Sequence, residues 1–306
     1  MRKTTDERIG VIIVLACGIV WGLSGVMSQI LFSSSDVTAE WLVVLRMSIA
    51  GFSILVYKVC KTGKDVFRIL KNGKDFCRFF IYMMSIMLMQ FSYSKAIQTS
   101  NAATATVLQY TYPVFILLFT AFEKKKMPRL YESIAVFFAF TGVYLIATHG
   151  RPYTLQITKE ALFWGIVSSL AFVVYTVYPK KMYEKYDGAC MLGLAMFFDS
   201  FIMLSVTGCY HKLFAVTQKV VILTGIITLF GCMIPLITYN IGVRKLGNVR
   251  ASLFVTVEPV FCALAAAVLG ISKFEKIDVV GFLLILIPVE AVAVMSFKNG
   301  DLSKKQ

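Results

Sequence analysis

Long apolar runs recur along the whole chain and constrain its fold more than any other feature. A helix that crosses a bilayer needs roughly 20 predominantly apolar residues. Runs of this kind predict ten membrane-spanning segments, at residues 9–32, 41–59, 79–97, 102–122, 130–148, 161–179, 189–209, 220–242, 249–270 and 279–297. The connections between them are short, which excludes a sizeable soluble catalytic or nucleic-acid-binding domain. The sequence therefore predicts an all-α polytopic membrane protein in contact with the lipid bilayer.

Composition agrees with this prediction. Hydrophobic residues make up 58% of the 306 positions and charged residues only 16%, whereas soluble domains are about 45–50% apolar and about 25% charged. The seven cysteines include no CxxC pair and no Cys/His cluster, so they are interpreted as small apolar fillers of helices. We expect no metal, no cofactor and no catalytic residues.

The positive charges predict an orientation. Most of the 31 lysines and arginines fall on alternate connections, including the basic stretches 58–78 and 124–129. Basic residues concentrate on the cytoplasmic side of membrane proteins, so this bias predicts a plasma-membrane protein with both termini in the cytoplasm. The segment 61–78 is interpreted either as an ordinary basic loop or as a short interfacial helix that touches anionic lipid.

The two halves of the chain align with each other. The matched positions include Tyr93 with Tyr239, Ala105 with Ala251, and Pro113-Val114-Phe115 with Pro259-Val260-Phe261. Each half holds five predicted spans, and an odd number places a tandem copy upside down in the membrane. The sequence thus predicts two inverted five-helix repeats, residues 1–150 and 151–306, of the kind found in many secondary transporters.

The paired prolines Pro113 and Pro259 fall near the middle of their spans. Proline lacks the backbone donor of a helix and frees the carbonyl four residues earlier, here that of Gln109 and of Val255. Interrupted helices at matching positions in two halves point to a transport site. The alternative is that each proline only kinks a membrane helix.

Several motifs occur in a fixed order on the ten predicted spans. They are Val20-Trp21-Gly22-Leu23-Ser24-Gly25, Arg46, Tyr112-Pro113-Val114-Phe115 followed by Glu123, Gly142, and Glu258-Pro259-Val260-Phe261 followed by Glu275. Together they resemble the EamA-type branch of the drug/metabolite transporter superfamily. The resemblance implies a two-repeat carrier of small metabolites, often an exporter, with a central cavity between the repeats. The tenth span departs from the family pattern, because Pro288-Val289-Glu290 stands where a small residue is usual. The resemblance does not imply a particular substrate.

Four ionisable residues lie inside predicted spans, where such groups are costly and usually functional. Arg46 is expected to pair with a carboxylate, to bind an anionic substrate group or to reach toward the outer surface. Asp199 is interpreted as a proton or cation site or as a buried partner of Arg46. Glu258 is expected to exchange a proton, to contact a cationic part of the substrate or to bind backbone freed at Pro259. For Glu290, a substrate-specific role and a position facing a water-filled vestibule both stay open.

Polar and aromatic side chains surround the prolines and form a second group of site residues. They are Trp21, Gln90, Tyr93, Gln109, Tyr110, Tyr112, Tyr175, Tyr239 and Asn240. Ring faces and hydrogen-bonding groups in a cavity wall suit an amphipathic or cationic metabolite. The alternative places the tyrosines in the interfacial belt of the membrane.

These observations favour a secondary transporter, acting as an exporter, of a small organic solute such as an amino acid or an amphipathic or cationic metabolite. No nucleotide-binding motif occurs, so a proton or sodium gradient or passive exchange would drive it. The alternative is a membrane-embedded enzyme or a channel-like pore. Gly22-Leu23-Ser24-Gly25 matches the GxSG of intramembrane serine proteases, but His149 and His211 lie at predicted helix ends, far from Ser24. We expect no nucleic-acid partner, and a homodimer is left open.

Overall fold

A computed structural model describes residues 2–123, 125, 129–151, 156–211, 213–246, 251 and 254–298, and among these residues all regular structure is helical. The α-helices are α1 (Arg2–Ser34), α2 (Ala39–Thr62), α3 (Gly73–Thr99), α4 (Ala102–Gln109), α5 (Tyr112–Glu123), α6 (Leu130–Thr148), α7 (Lys159–Val177), α8 (Lys180–Tyr183), α9 (Gly188–Thr207), α10 (Gln218–Thr228), α11 (Ile234–Leu246), α12 (Val257–Val268) and α13 (Lys276–Lys298). Short 3₁₀ segments at Gly63–Lys71 and Cys209–His211 join some of them.

Polar residues in the short connections start several of these helices. The side chains of Asn101, Thr158 and Asp187 each accept a hydrogen bond from the backbone N–H three residues later. Such caps satisfy donors that the first turn of a helix leaves free. The sequence therefore ends one span and begins the next within a few residues, which keeps the bundle tightly connected.

Seven helices of the described part are long and apolar enough to cross a membrane. They are Arg8–Ser34, Ala39–Thr62, Gly73–Thr99, Ala102–Phe119, Leu130–Thr148, Lys159–Tyr183 and Gly188–Thr207. Gln218–Met233 and Val257–Val268 are shorter apolar helices, and α13 covers the tenth predicted span with Pro288 inside it. Ten membrane spans therefore stay a prediction.

Within the described residues, three predicted spans deviate from regular α-helix near their middle, and one of them, the ninth, has a turn at Thr256 directly before α12. The fourth breaks at Tyr110 and Thr111, directly before Pro113, so that α4 and α5 replace one helix. The eighth stays continuous but contains a π-helical segment, Leu229–Met233, between α10 and α11. Pro113 and Pro259 predict the deviations of the fourth and ninth spans, and Pro235 follows the π-helical segment two residues after its end.

The segment after α2 is a 3₁₀ helix, Gly63–Lys71. Its Val66 and Ile69 are buried, while Phe67 and Lys71 are exposed. The segment is thus a short amphipathic helix packed onto the bundle rather than an irregular loop.

Helices from the two halves of the sequence pack against each other in matching pairs. α2 packs on α9, and α6 packs on α13. The first helix of each half contacts the third predicted span of the other half: α7 packs on α3, and α1 packs on α10 and α11. α7 also contacts α4 and α5, as α1 contacts α12. Each of these contacts between the halves therefore has a counterpart with the roles of the halves exchanged.

Glycines set the closest of these contacts. A Cβ added at Gly51 of α2 would lie 2.5 Å from the backbone nitrogen of Phe197 in α9. A Cβ at Gly142 of α6 would lie 2.6 Å from the carbonyl oxygen of Gly281 in α13. Since any side chain would force the helices apart, small residues here permit direct backbone contact between the halves.

Ion pairs join the halves at one end of the bundle, which we call the Lys58 end. Lys58 Nζ lies 2.9 Å from Asp187 Oδ1. Lys185 pairs with Asp75, and Tyr186 Oη donates to the same carboxylate at 2.6 Å. These contacts connect α2 and α3 with the loop that precedes α9.

Contacts between the halves also occur at the opposite end, which we call the His149 end. His149 ends α6, with its Nε2 2.8 Å from Asp278 Oδ1 and its Nδ1 3.4 Å from Glu275 Oε2. Gln29 Nε2 lies 3.0 Å from Ser272 Oγ. The conformation described is therefore bridged between the halves at both ends.

Candidate functional site

Glu258 lies at the start of α12, directly before Pro259. Tyr110, at the break between α4 and α5, donates a hydrogen bond from Oη to Glu258 Oε2 at 2.9 Å. The same hydroxyl lies 3.3 Å from the carbonyl oxygen of Val255, which the proline leaves without its helical donor. Two interrupted helices from different halves thus meet at one tyrosine hydroxyl.

Aromatic rings surround this contact. Tyr110 and Tyr112 have ring centroids 5.9 Å apart, and Tyr112 stacks on Phe172 of α7 at 4.1 Å. Trp21 and Tyr239 pack at 5.7 Å. Tyr112 is close enough to interact electrostatically with Tyr239 and with Glu258. The structure therefore assembles these predicted wall residues around Glu258.

Glu290, in the tenth predicted span, joins the same region. It is hydrogen-bonded to Thr256, and it lies within electrostatic range of Tyr112. The position that departs from the family pattern therefore lies beside the break that precedes α12.

Arg46 of α2 is 4% exposed. Its Nη2 donates to Gln90 Oε1 at 2.8 Å, while its Nε has no hydrogen-bond partner among the described residues. The expected pair with Asp199 is not formed. Tyr93 lies within electrostatic range of both Arg46 and Glu258, so the cation and the carboxyl group are both near one tyrosine.

Tyr93 connects three helices at this point. Its hydroxyl lies 2.9 Å from Thr106 Oγ1 of α4, and Thr106 in turn lies 3.7 Å from the Cys262 sulfur of α12. Gly25 of α1 also lies close, since a Cβ there would approach the Tyr93 hydroxyl to 2.9 Å. The hydroxyl is thus held at a junction of both halves.

Asp199 of α9 lies apart from this region. It is fully buried, and neither carboxylate oxygen has a hydrogen-bond partner among the described residues. α9 packs on α2 and α3, within a cluster that includes Met47, Met196 and Tyr82. Asp199 is therefore a second buried carboxyl group, separate from Glu258.

The remaining predicted site residues lie in different parts of the structure. Gln109 donates to Ser168 Oγ of α7 at 2.7 Å, which makes it a contact between α4 and α7. Pro259 is buried and Pro113 is partly exposed. Tyr175 stacks on Tyr82 at 5.7 Å. The side chain of Asn240 lies outside the described residues.

One feature of the site escaped sequence reasoning. Trp21 Nε1 donates to the carbonyl oxygen of Gly231 at 3.0 Å, inside the π-helical segment. π-Helical turns shift helical register and occur often at functional sites. Cys232 in this segment lies within electrostatic range of Arg46, so the segment reaches the Arg46 region. The sequence signal that pointed here is Pro235, which cannot donate to the Gly231 carbonyl four residues earlier.

The Lys58 end carries charges whose state is fixed near neutral pH. Partial burial raises the pKa of Asp187, but hydrogen bonds from Lys58 and from the Cys190 N–H outweigh this effect and lower it. Its hydrogen bond with Asp75 raises the pKa of Lys185. Both changes favour the charged forms, so these ion pairs stay formed across the neutral range.

Comparison with known proteins shows which family and which folds this chain is similar to. A model of the EamA-like transporter family matches residues 8–148 and again residues 159–292. The uncharacterized inner membrane transporter YicL of Salmonella typhimurium is 32% identical over 292 residues, 95% of this chain and 97% of the relative. The uncharacterized transporter YrdR of Bacillus subtilis is 21% identical and covers 79% of this chain and 78% of its own length. A solved crystal structure superposes with a TM-score of 0.63 at 15% identity, over 96% of this chain and 98% of its own.

The fold and these relatives define a multi-pass membrane protein of the transporter class. Because one family model covers most of the chain in two consecutive matches, the chain belongs to the EamA-like transporter family. The resemblance found in the motifs is confirmed.

Proposed function

We propose that this protein is a secondary transporter of a small organic solute that carries both an anionic and a cationic or hydrogen-bonding group, as amino acids do. The observation that carries the proposal is that Arg46 and Glu258, from different halves of the chain, both lie within electrostatic range of Tyr93. A buried guanidinium without a carboxylate partner in the described structure is suited to an anionic group of the solute.

Glu258 supplies the opposite end of the proposed site. Only Tyr110 donates to its carboxyl group among the hydrogen bonds described, so one oxygen is left to accept from a solute ammonium or hydroxyl. Tyr112, Tyr239 and Trp21 offer ring faces beside it, and aromatic faces bind both cations and apolar groups. A dipolar solute with an apolar portion fits this set of side chains.

The packing of the halves supports alternating access. We propose two inverted repeats, residues 1–150 and 151–306, with ten membrane spans and both termini in the cytoplasm. α2 of the first half packs on α9 of the second half, and α3 packs on α7 as α11 packs on α1 with the halves exchanged. A pseudo-two-fold axis would produce such pairs of contacts. In this arrangement the Lys58 end faces the cytoplasm, and export is the direction that the family resemblance suggests.

Bridging at both ends favours a carrier over a channel-like pore. An open pore conducts without closing, whereas a carrier passes through conformations that separate its site from both sides. The Lys58–Asp187 and His149–Asp278 contacts would close the two ends of this chain. The same contacts must open one at a time during transport.

The first experiment is a thermal-shift screen of the purified protein against a library of amino acids, amines and carboxylic acids. A ligand that binds the folded state raises the unfolding temperature. Hits are then measured by counterflow in proteoliposomes, with Arg46→Gln, Glu258→Gln and, as a control, exposed Glu160→Gln. We expect Arg46→Gln and Glu258→Gln to weaken solute binding at least about tenfold, which corresponds to about 1.4 kcal/mol.

The pattern across solutes makes this test specific. Removing the carboxylate from the best hit should weaken binding to the wild type but not to Arg46→Gln. If dipolar solutes neither stabilise the protein nor exchange, while singly charged or neutral solutes do, the proposed site is wrong.

A further inference from the structure

The environment of Asp199 identifies the ion that couples transport, an inference that rests on the proposed transport function. The side chain is fully buried, and both carboxylate oxygens lack a hydrogen-bond partner in the described part of the chain. Burying an ionised carboxylate without a partner is among the costliest arrangements in a protein. A neutral, protonated carboxyl group removes most of that cost.

The location of Asp199 links its environment to the movement of the halves. It belongs to α9 in the second half, yet the helices packed on α9 are α2 and α3 of the first half. At the α2–α9 contact, Gly51 meets the backbone of Phe197 directly. Any motion of the two halves against each other therefore changes what surrounds Asp199.

The groups near Asp199 suit a proton rather than a metal cation. The apolar cluster around α9 contains the thioether side chains of Met47, Met83, Met191, Met196 and Met203. Sodium is bound by several oxygen ligands, whereas the side chains packed around α9 in this cluster are mostly apolar. A proton needs only the carboxyl group itself.

Among the described residues, no charged partner replaces the proton. Tyr82 of α3 lies within electrostatic range of Asp199. The other titratable or charged groups on α9 and on the elements packed against it are Glu40, Arg46, Tyr57, Lys58, Cys60, Lys61, Lys64, Asp65, Arg68, Lys71, Lys74, Asp75, Cys77, Arg78, Tyr93, Lys95, Cys190, Cys209, Tyr210 and His211. Arg46 is bonded to Gln90 and Lys58 to Asp187, and none of the described side chains in this set hydrogen-bonds Asp199.

We propose that Asp199 is the proton-binding site that couples solute transport to a proton gradient. The carboxyl group holds its proton while the α2–α9 contact is closed. It releases the proton when movement of the halves admits water to that contact. This site is distinct from the Arg46–Glu258 region, where the solute is proposed to bind.

The first test measures proton binding without any solute. Thermal unfolding of the purified protein is followed from pH 5.5 to 9 for the wild type, Asp199→Asn, Asp199→Leu and the exposed control Asp36→Asn. A group that holds its proton more firmly in the folded state stabilises the fold at low pH, and this contribution falls as pH rises. We expect wild type and Asp36→Asn to lose stability toward pH 9, and both Asp199 variants to show a flatter dependence.

Asp199→Leu keeps the test decisive if Asp199→Asn folds poorly, because it leaves no buried polar group without a partner. Identical pH dependences for wild type and a folded Asp199 variant would overturn the proposal. Glu258 and Glu290 are present in all four proteins, so their contribution cancels in the comparison.

The second test uses proteoliposomes and the best solute from the screen. With the membrane potential clamped, an imposed pH gradient should drive solute accumulation up to about tenfold per pH unit for one proton per solute. In Asp199→Asn, we expect the ratio of pH-driven solute accumulation to counterflow to fall to the level seen without a pH gradient. Counterflow without pH-driven accumulation in the wild type would refute proton coupling, whereas no counterflow at all would refute the proposed transport function instead.

Discussion

At the scale of single residues, Tyr110 determines how the two interrupted helices meet. Its hydroxyl lies within hydrogen-bonding distance of both the Glu258 carboxyl group and the Val255 carbonyl oxygen. A buried acceptor that loses its donor costs about 1–3 kcal/mol. The strength of this contact is therefore open to direct measurement.

Tyr110→Phe removes the hydroxyl and keeps the ring. We expect the free energy of unfolding to fall by about 1–3 kcal/mol, and solute binding to weaken because Glu258 loses its fixed orientation. Denaturant unfolding in detergent micelles measures the first effect. The exposed Tyr57→Phe is the control, and an equal effect of both changes would contradict the role of the Tyr110 hydroxyl.

The ionisable residues divide into those that sequence could assign and those that it could not. Arg46 and Glu258 were identifiable because charge is rare within apolar spans. The absence of an Arg46–Asp199 pair was not predictable, since the direction of each side chain depends on how its helix is rotated in the bundle. The bond between Tyr110 and Glu258 also required the packed structure, because the two residues lie in different halves of the chain.

At the scale of helices, the α2–α9 contact depends on the absence of a side chain at Gly51. A Cβ there would lie 2.5 Å from Phe197 N and 2.9 Å from Met196 C. These are backbone atoms, so no rotamer change relieves the overlap.

Gly51→Ala should therefore destabilise the protein by about 1–3 kcal/mol, as overpacking does. Gly73→Ala is the matched control, because nothing lies within 4 Å of a Cβ at Gly73. We expect the control to change stability by no more than about 0.5 kcal/mol. Equal unfolding midpoints for the two variants would mean that α2 and α9 do not approach as closely as described.

The interruptions of the helices are only partly visible in the sequence. Pro113 marks the break at Tyr110 and Thr111 because proline removes a helical donor. The π-helical segment Leu229–Met233 is followed by Pro235, which cannot donate to the Gly231 carbonyl, and Trp21 donates to that carbonyl instead. Short-range sequence patterns do not encode such a long-range contact.

At the scale of the whole molecule, the Lys58 end is expected to be insensitive to neutral pH. The lowered pKa of Asp187 means that its stabilising pair with Lys58 is present above the ordinary carboxyl range and is lost only as pH falls below it. The raised pKa of Lys185 means that its pair with Asp75 is lost only as pH rises above the ordinary lysine range.

Asp187→Asn should therefore change the rate of transport by a similar factor at pH 6 and at pH 8. Counterflow measured at both pH values checks this expectation. A strong difference between the two factors would show that the Lys58 end, rather than a buried carboxyl group, senses pH in this range.

The central claim is that two halves of this transporter move in opposition around a site between Arg46 and Glu258. It is tested most directly by double electron–electron resonance on spin labels at Thr62 and Glu184 across the Lys58 end and at Ser34 and Leu213 across the opposite end, with and without the best solute. We predict that the two distance distributions shift in opposite directions, one end closing as the other opens. Distributions that stay unchanged with saturating solute, or that widen together at both ends, would contradict alternating access in this protein.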